Sequence, residues 1–323
     1  MKIQVINPYN NQILNHIDNN YIDKSGNIFP VVKGVVRICK PNNYTENFGV
    51  QWNMFEKTQL DDELKSKNLS SIRLFSETKW NTKDLVEKNI LEVGSGAGRF
   101  SKVLLESTLA NLYSVDYSDA VTVNFKNNSP IAPDRLYVFQ ASIYEMPFQD
   151  SSFDKVLCLG VLQHTPDFDA SVKALIEKTK SGGEIVVDFY PIKGWWTKIH
   201  AKYIFRPFTK RMTHSKLMSL IESNIDWLIK VEKTLHKIGL GVFARFIPIV
   251  DIYGTFPKYL YESEIREWAV LDTFDMFSPQ YDNPQRIKDV AAMFDRHGAD
   301  VTFSGFEKFE GGIAAVVRGI KRV

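Results

Sequence analysis

The sequence predicts an α/β protein with a parallel sheet covered by helices on both faces, a small N-terminal β appendage and a mainly helical insertion. Three observations carry this. Strand-like apolar runs alternate with helical patterns from residue 89 to 190, as parallel strands joined by crossover helices require. The glycine-rich turn "GSGAG" follows the first of those runs. The alternation breaks after Pro191 and resumes near residue 286, which marks an insertion.

The elements follow in order. Residues 1 to about 45 alternate short strand-like runs with turn signals ("NNQIL", "DKSGN", "FPVVKGVVRI") and form the β appendage. From 51 to 84 apolar residues are spaced by three and four among charges, a helical pattern. Strands are then predicted at 89–93, 112–116, 136–140, 155–159 and 184–190, with helices at 99–107, 120–127 and 168–178. Residues 192–285 contain helical patterns, notably 216–235, among aromatic and proline-rich connectors. A helix at 286–297 and strands at 300–305 and 312–318 close the chain. The expected organisation is an appendage (1–45), a core (46–191), a helical insertion acting as an acceptor-binding lid (192–285) and the C-terminal part of the core (286–323).

With 323 residues the chain can bury one catalytic domain and a substantial appendage. Lys and Arg (40) nearly balance Asp and Glu (38), and 44% hydrophobic residues fit a globular protein rather than a disordered one. The two cysteines, Cys39 and Cys158, make neither a disulfide framework nor a zinc site, so no metal is expected. "MKIQVINPYNNQ" lacks the pattern of a signal peptide. "LGVFARFIPIVDIYG" is interrupted by Arg245, Pro248 and Asp251 and is too polar to span a bilayer. A cytoplasmic protein is expected, with peripheral contact to the inner face of the membrane left open. Residues 193–216 carry Lys198, Lys202, Arg206, Lys210 and Arg211 without an acid, interleaved with Trp195, Trp196, Tyr203, Phe205 and Phe208. This is either a solvated helix face or a contact for a phosphate-bearing acceptor or an anionic membrane.

The glycine loop narrows the function. A phosphate loop needs Lys and Ser or Thr after its last glycine, but Gly98 is followed by Arg99 and Phe100. A dinucleotide loop needs a third glycine where Arg99 stands. What remains is Glu92-x-Gly94-x-Gly96-x-Gly98, in which the acid repels pyrophosphate but suits an ammonium group. This pattern resembles the first motif of the class I S-adenosylmethionine-dependent methyltransferases. Other motifs resemble that family in order: "YSVDYSD", "FQASIYEMPF", "SSFDKVLCLGVLQHTPD" and "KSGGEIVVDFYP". The resemblance implies a Rossmann-like, doubly wound sheet of seven strands whose last strand is antiparallel. It also implies S-adenosyl-L-methionine as cofactor, held by Glu92, Gly94, Ser95, Gly96, Gly98 and Gly160. Asp116 takes the ribose hydroxyls, with Tyr117 beside the adenine. The family usually has an aspartate where this chain has Ser142, which leaves the backbone of Ile143 for the adenine edge.

"GNIFPVVKGVVRI" looks like the tail of the zinc-ribbon module of some bacterial methyltransferases, but Asn7 and Asn10 stand where its first cysteines are expected. A degenerate, metal-free ribbon is the expectation. "FGVQWNMFEKTQLD", "IFRPFTKRM" and "WAVLDTFDMFSPQYDNPQ" resemble methyltransferases of surface-polysaccharide and other glycan biosynthesis. Transfer to an oxygen of a glycan or glycan precursor is the first reading. A quinone or lipid precursor as acceptor, or an inactive partner subunit of the same fold, are the others. Nucleic acid is disfavoured because no Asn/Asp-Pro-Pro-aromatic motif follows the fourth strand, and nothing reads out an oligomeric state. A sugar hydroxyl needs a base and a carboxylate acceptor does not. His164, Asp188 and Tyr190 sit at the strand ends where open α/β sheets bind ligands. Asp275, with Asp272, Tyr281 and Asp282, is the insertion's contribution. Each also has a structural reading, as loop scaffold or turn residue.

Overall fold

The computed structural model describes residues 3–39, 43–61, 68–256, 260–310 and 312–323. Residues 1–2 and 40–42 of the expected appendage, 62–67 of the helical stretch, 257–259 of the insertion and residue 311 lie outside the described residues. Four short strands open the chain: β1 (Asn15–Ile17), β2 (Asn20–Ile22), β3 (Ile28–Val32) and β4 (Val35–Arg37). Helices α1 (Glu46–Met54) and α2 (Leu69–Thr78) follow. Then come β5 (Asn89–Val93), α3 (Arg99–Ser107), β6 (Asn111–Asp116), α4 (Val121–Asn128), β7 (Leu136–Gln140), β8 (Phe153–Cys158), α5 (Phe168–Lys178) and β9 (Thr179–Phe189). After the insertion come α10 (Ile287–Arg296), β10 (Ala299–Phe309) and β11 (Gly312–Lys321).

The strand order is β1-β2-β3-β4-β7-β6-β5-β8-β9-β11-β10. The seven expected strands are the run from β7 to β10. β7, β6, β5, β8 and β9 are mutually parallel, and β11 runs antiparallel to β9. Successive residues of one strand feed opposite faces. Leu91, Val93, Tyr113, Val115, Val156 and Cys158 join one apolar cluster; Ile90, Leu112 and Leu157 join the other. Helices α5 and α10 supply Phe168, Val172, Leu175, Val290 and Phe294 to the first cluster. Helices α2 and α3 supply Leu74, Phe100, Val103 and Leu104 to the second. Both faces are therefore covered, which is why apolar residues stand at adjacent positions in these strands instead of only at alternate ones.

The N-terminal strands extend this sheet. β4 pairs in parallel with β7 through Val36 to Phe139 and Arg37 to Gln140. Val35 and Val36 are buried and belong to different clusters. At the hairpin end, Asp23 accepts from Asn7 Nδ2 (2.7 Å), Asn10 Nδ2 (2.8 Å) and Asn27 Nδ2 (2.8 Å), and from the backbone of Ser25 and Asn27 (both 2.9 Å). Burial opposes ionisation, yet the donors from Asn27, Asn10 and Asn7 hold this carboxyl far below the usual range.

The chain forms two compact units, one of residues 1–191, 281–307 and 314–323, the other of 192–280 and 308–313. The expected insertion ran to residue 285, but 281–285 belongs with the first unit. The reason is local bonding: Asn283 N donates to Gln163 O (2.7 Å), Asn283 Nδ2 to Thr165 O (2.9 Å) and Gln285 N to Tyr190 O (3.1 Å). The second unit holds α6 (Ala201–Thr209), α7 (His214–Lys237), the short α8 (Ile252–Thr255) and α9 (Glu262–Phe277). Helices α7 and α9 pack together through apolar faces that include Leu217, Ile221, Ile225 and Leu228 on α7.

Candidate functional site

At the end of β5 the chain turns on three glycines, Gly94 (φ 79°), Gly96 (φ 52°) and Gly98 (φ 86°). Side chains other than glycine rarely adopt this region. Space matters as well. A Cβ on Gly94 would meet Val161 at 2.2 Å, and one on Gly98 would meet Asn128 and Asn124 at 2.2 and 2.3 Å. One on Gly96 would touch the Trp52 indole at 3.0 Å. The loop is tied to β6, since Gly94 N and Ser95 N both donate to Val115 O (2.7 and 3.3 Å).

Asp116 ends β6 facing this loop. Its Oδ2 accepts from Gly96 N (2.9 Å), and its Oδ1 from Ser118 N (2.8 Å) and Ser118 Oγ (2.7 Å). Burial raises its carboxyl above the ordinary value. Glu92 lies deeper, 2% exposed. Its Oε2 accepts from Ser101 Oγ and from Ser114 Oγ (2.9 Å), so one carboxylate joins β5, β6 and the first turn of α3. Tyr117 is half-buried and tilted against Tyr44, with ring centroids 5.3 Å apart. Ser142 and Ile143 are buried just beyond β7. Ser142 Oγ accepts from Tyr144 N at 3.3 Å.

A second cluster lies past β8 and β9. Asp188, 3% exposed, accepts from Gly160 N and from Arg73 Nη2. Arg73 also pairs with Glu77 at 2.8 Å. Burial, then the Asp188 charge, pushes the Glu77 carboxyl up to about 8. Gly160, at φ 75°, has open space where a Cβ would stand, with Arg73 nearest at 3.9 Å. His164 follows on a 3-10 turn, and its Nδ1 faces Tyr281 O at 3.2 Å. A carbonyl only accepts, so Nδ1 carries the proton and Nε2 is the basic nitrogen. The imidazole meets Tyr190 edge-on (5.6 Å) and Phe48 at a tilt (5.2 Å). Tyr190 is 37% exposed.

Residues 91–187 match a family model described as a methyltransferase domain. Over this segment the chain is similar to methyltransferase domains. A tRNA U34 carboxymethyltransferase of Nautilia profundicola is 32% identical over 121 residues, 36% of this chain and 40% of that enzyme. A ubiquinone biosynthesis O-methyltransferase of Idiomarina loihiensis is 33% identical over 107 residues, 32% of this chain and 43% of that one. The chain thus spans less than half the length of these relatives. Among solved structures, magnesium protoporphyrin IX methyltransferase of Synechocystis PCC 6803 aligns with a TM-score of 0.47 and 15% identity, covering 86% of this chain and 96% of that one.

The residues of this segment fit S-adenosylmethionine, the cofactor that the sequence resemblance implies. Ser95 Oγ is buried in the glycine loop with no hydrogen-bond partner. Each Asp116 oxygen keeps acceptor capacity for a ribose hydroxyl, because a carboxylate offers about four acceptor sites. Of the residues expected from the sequence, the loop glycines, Ser95, Asp116 and Tyr117 gather along the ends of β5 and β6, and His164 touches Tyr190. Glu92 and Asp188 are taken up by protein donors. Asp275 belongs to the second unit, half-buried on α9, as does Asp272. Sequence reasoning missed Trp52 against Gly96, Phe48 against His164, and the pairing of Arg73 with Asp188. Only the aromatic residues in "FGVQWNMF" hinted at the first two.

Proposed function

We propose that this chain transfers a methyl group from S-adenosylmethionine to an oxygen of a small acceptor, a glycan or glycan precursor. The observation that supports the donor half is Asp116 bonded to Gly96 N within a loop of three positive-φ glycines, inside the matched methyltransferase domain. Gly94 to Gly98 and Ser95 would hold the amino-acid part, Asp116 the ribose, and Tyr117, Ser142 and Ile143 the adenine. When bound, the cofactor supplies an already activated sulfonium methyl. The chain's own task is orientation, which can lower such a barrier by roughly 7–11 kcal/mol.

On the acceptor side, His164 Nε2 is the group that takes the hydroxyl proton, with Tyr190 positioned against its ring. Asp188 is a positioning residue: it holds Gly160 N and Arg73 and keeps the turn after β8 in place. Such a base serves a hydroxyl acceptor, whereas a carboxylate needs none. A quinone or lipid precursor is the second reading, favoured by the identity to the ubiquinone O-methyltransferase. Peripheral contact with an anionic membrane is consistent with either acceptor. Trp195 and Trp196 stack with centroids 3.7 Å apart while 67% and 54% exposed.

Calorimetric titration with S-adenosylmethionine tests the donor half. One site is expected, weakened about 10- to 100-fold in Asp116→Ala, which loses charge-assisted hydrogen bonds of about 1.5–3 kcal/mol. Absence of binding to the wild-type chain would sink the proposal. His164→Gln should leave that affinity intact and lower turnover on a sugar-hydroxyl acceptor.

A further inference from the structure

In the second unit three side chains converge away from any residue used above. Glu232 and His236 lie four apart on α7 and therefore share a face. Asp251 precedes α8. One ligand atom from each of the three lies within 4.8 Å of the others.

The site is built, not a chance meeting of surface acids. Glu232 is 0% exposed. Its Oε1 accepts from Ile252 N at 2.9 Å, while Oε2 is buried with no hydrogen-bond partner. His236 Nε2 is likewise buried without one. The imidazole stacks on Tyr253 (4.2 Å between centroids, 21° between planes). Gly241 closes against it so tightly that a Cβ there would stand 2.6 Å from Nδ1. A buried carboxylate oxygen and a buried ring nitrogen are each costly to leave unmatched, and a cation satisfies both at once.

We infer that Glu232, His236 and Asp251 bind a divalent transition-metal cation of the zinc type. A nitrogen ligand beside two carboxylates favours zinc over calcium or magnesium, which prefer all-oxygen shells. Ligand atoms stand about 2.0–2.2 Å from such an ion and so about 3.5 Å from one another. Asp251 is the exposed member of the three, on the chain entering α8. Three protein ligands leave a fourth tetrahedral position for water or a further ligand. The ion would pin the C-terminal end of α7 to the chain entering α8.

The test is titration of the full chain, stripped of metal with a chelator, with Zn²⁺ alone by calorimetry and with Co²⁺ by visible absorbance. One equivalent of Zn²⁺ and the absorption of four-coordinate Co²⁺ are expected in the wild type. His236→Gln and Glu232→Gln should each weaken binding at least about tenfold, and His16→Gln should not change it. Asp251→Asn, at an exposed position, should weaken Zn²⁺ binding with an unchanged far-ultraviolet circular dichroism spectrum, so a misfolded core variant would not decide the matter. Gly241→Ala should do the same by displacing the imidazole. No stoichiometric Zn²⁺ in the wild type, or equal affinity in Asp251→Asn and His236→Gln, overturns the assignment. The titration does not depend on methyl transfer, so its outcome is independent of the proposed activity.

Discussion

Glu92 is 2% exposed, and burial pushes its carboxyl up to about 7 against the opposing bonds from Ser101 and Ser114, with Asp116 adding to the rise. In the unfolded chain the same group ionises near 4.5. The folded state therefore holds the proton more tightly. Its stabilising contribution is complete below about 4.5 and is lost as pH rises through about 7. Glu77 and Glu232 shift the same way, so the measurement must be a difference. Urea denaturation at pH 5 and pH 8 should show the wild type losing more stability than Glu92→Gln, by up to about 3 kcal/mol. Equal losses would mean that Glu92 ionises in the folded state as it does in water. The glycines give a second residue-scale prediction. Gly94→Ala combines a strained positive φ with the Val161 clash and should cost about 3 kcal/mol or more. Gly160→Ala has the strained φ but open space and should cost only about 1–2 kcal/mol. The order of the two urea midpoints checks the reasoning.

At the level of elements, α2 is joined to the end of β9 by Arg73, whose guanidinium serves both Glu77 and Asp188. Arg73→Met leaves two buried carboxyls without their cation and should cost about 3–5 kcal/mol in thermal or urea unfolding. Asp188→Asn should cost less, because its side-chain oxygen still accepts from Gly160 N. If both cost the same, the ion pair is not what holds the turn after β8. Asp188 was a candidate from its place at a strand end, but its pairing with Arg73 was not legible, since the two stand 115 residues apart and no local pattern relates them. The strands themselves were legible. The runs predicted at 89–93 and 136–140 are β5 and β7, because burial on both faces places apolar residues at adjacent positions. The parallel docking of β4 on β7 was not legible, since the appendage announces only its local hairpins and a parallel partner leaves no turn signal. In the candidate site the glycines stood out by their spacing, and Asp116 by the resemblance of "YSVDYSD" to a methyltransferase motif. Trp52 and Phe48 were not, because their roles depend on where α1 packs.

For the whole molecule, a near-zero net charge hides a division of labour among cations. The sequence shows Lys198, Lys202, Arg206, Lys210 and Arg211 as one basic run. The structure separates them. Lys202 and Arg206 are each 8% exposed, and Arg206 donates to Met276 O (3.3 Å) and Pro279 O (2.8 Å). Arg206 thus ties α6 to the end of α9, and the Lys202 ammonium lies 5.8 Å from the centroid of the Tyr203 ring, whereas Lys193, Lys198, Lys210 and Arg211 are exposed alongside Trp195, Trp196, Phe205 and Phe208. Among the described residues no helix is long and apolar enough to cross a membrane. Exposed cations near an anionic bilayer surface contribute about 1 kcal/mol each. Lys198→Gln with Lys210→Gln should therefore lower binding to phosphatidylglycerol vesicles by about 2 kcal/mol, roughly thirtyfold, with wild-type binding weakening as salt rises. Trp195→Ala with Trp196→Ala should reduce it further at high salt, where the apolar contribution remains. Arg206→Gln should instead lower the melting temperature and leave vesicle affinity per folded molecule unchanged. Vesicle co-sedimentation that ignores both the lysine and the tryptophan pairs would remove the membrane contact, and would leave the exposed aromatic residues of the second unit to a soluble acceptor.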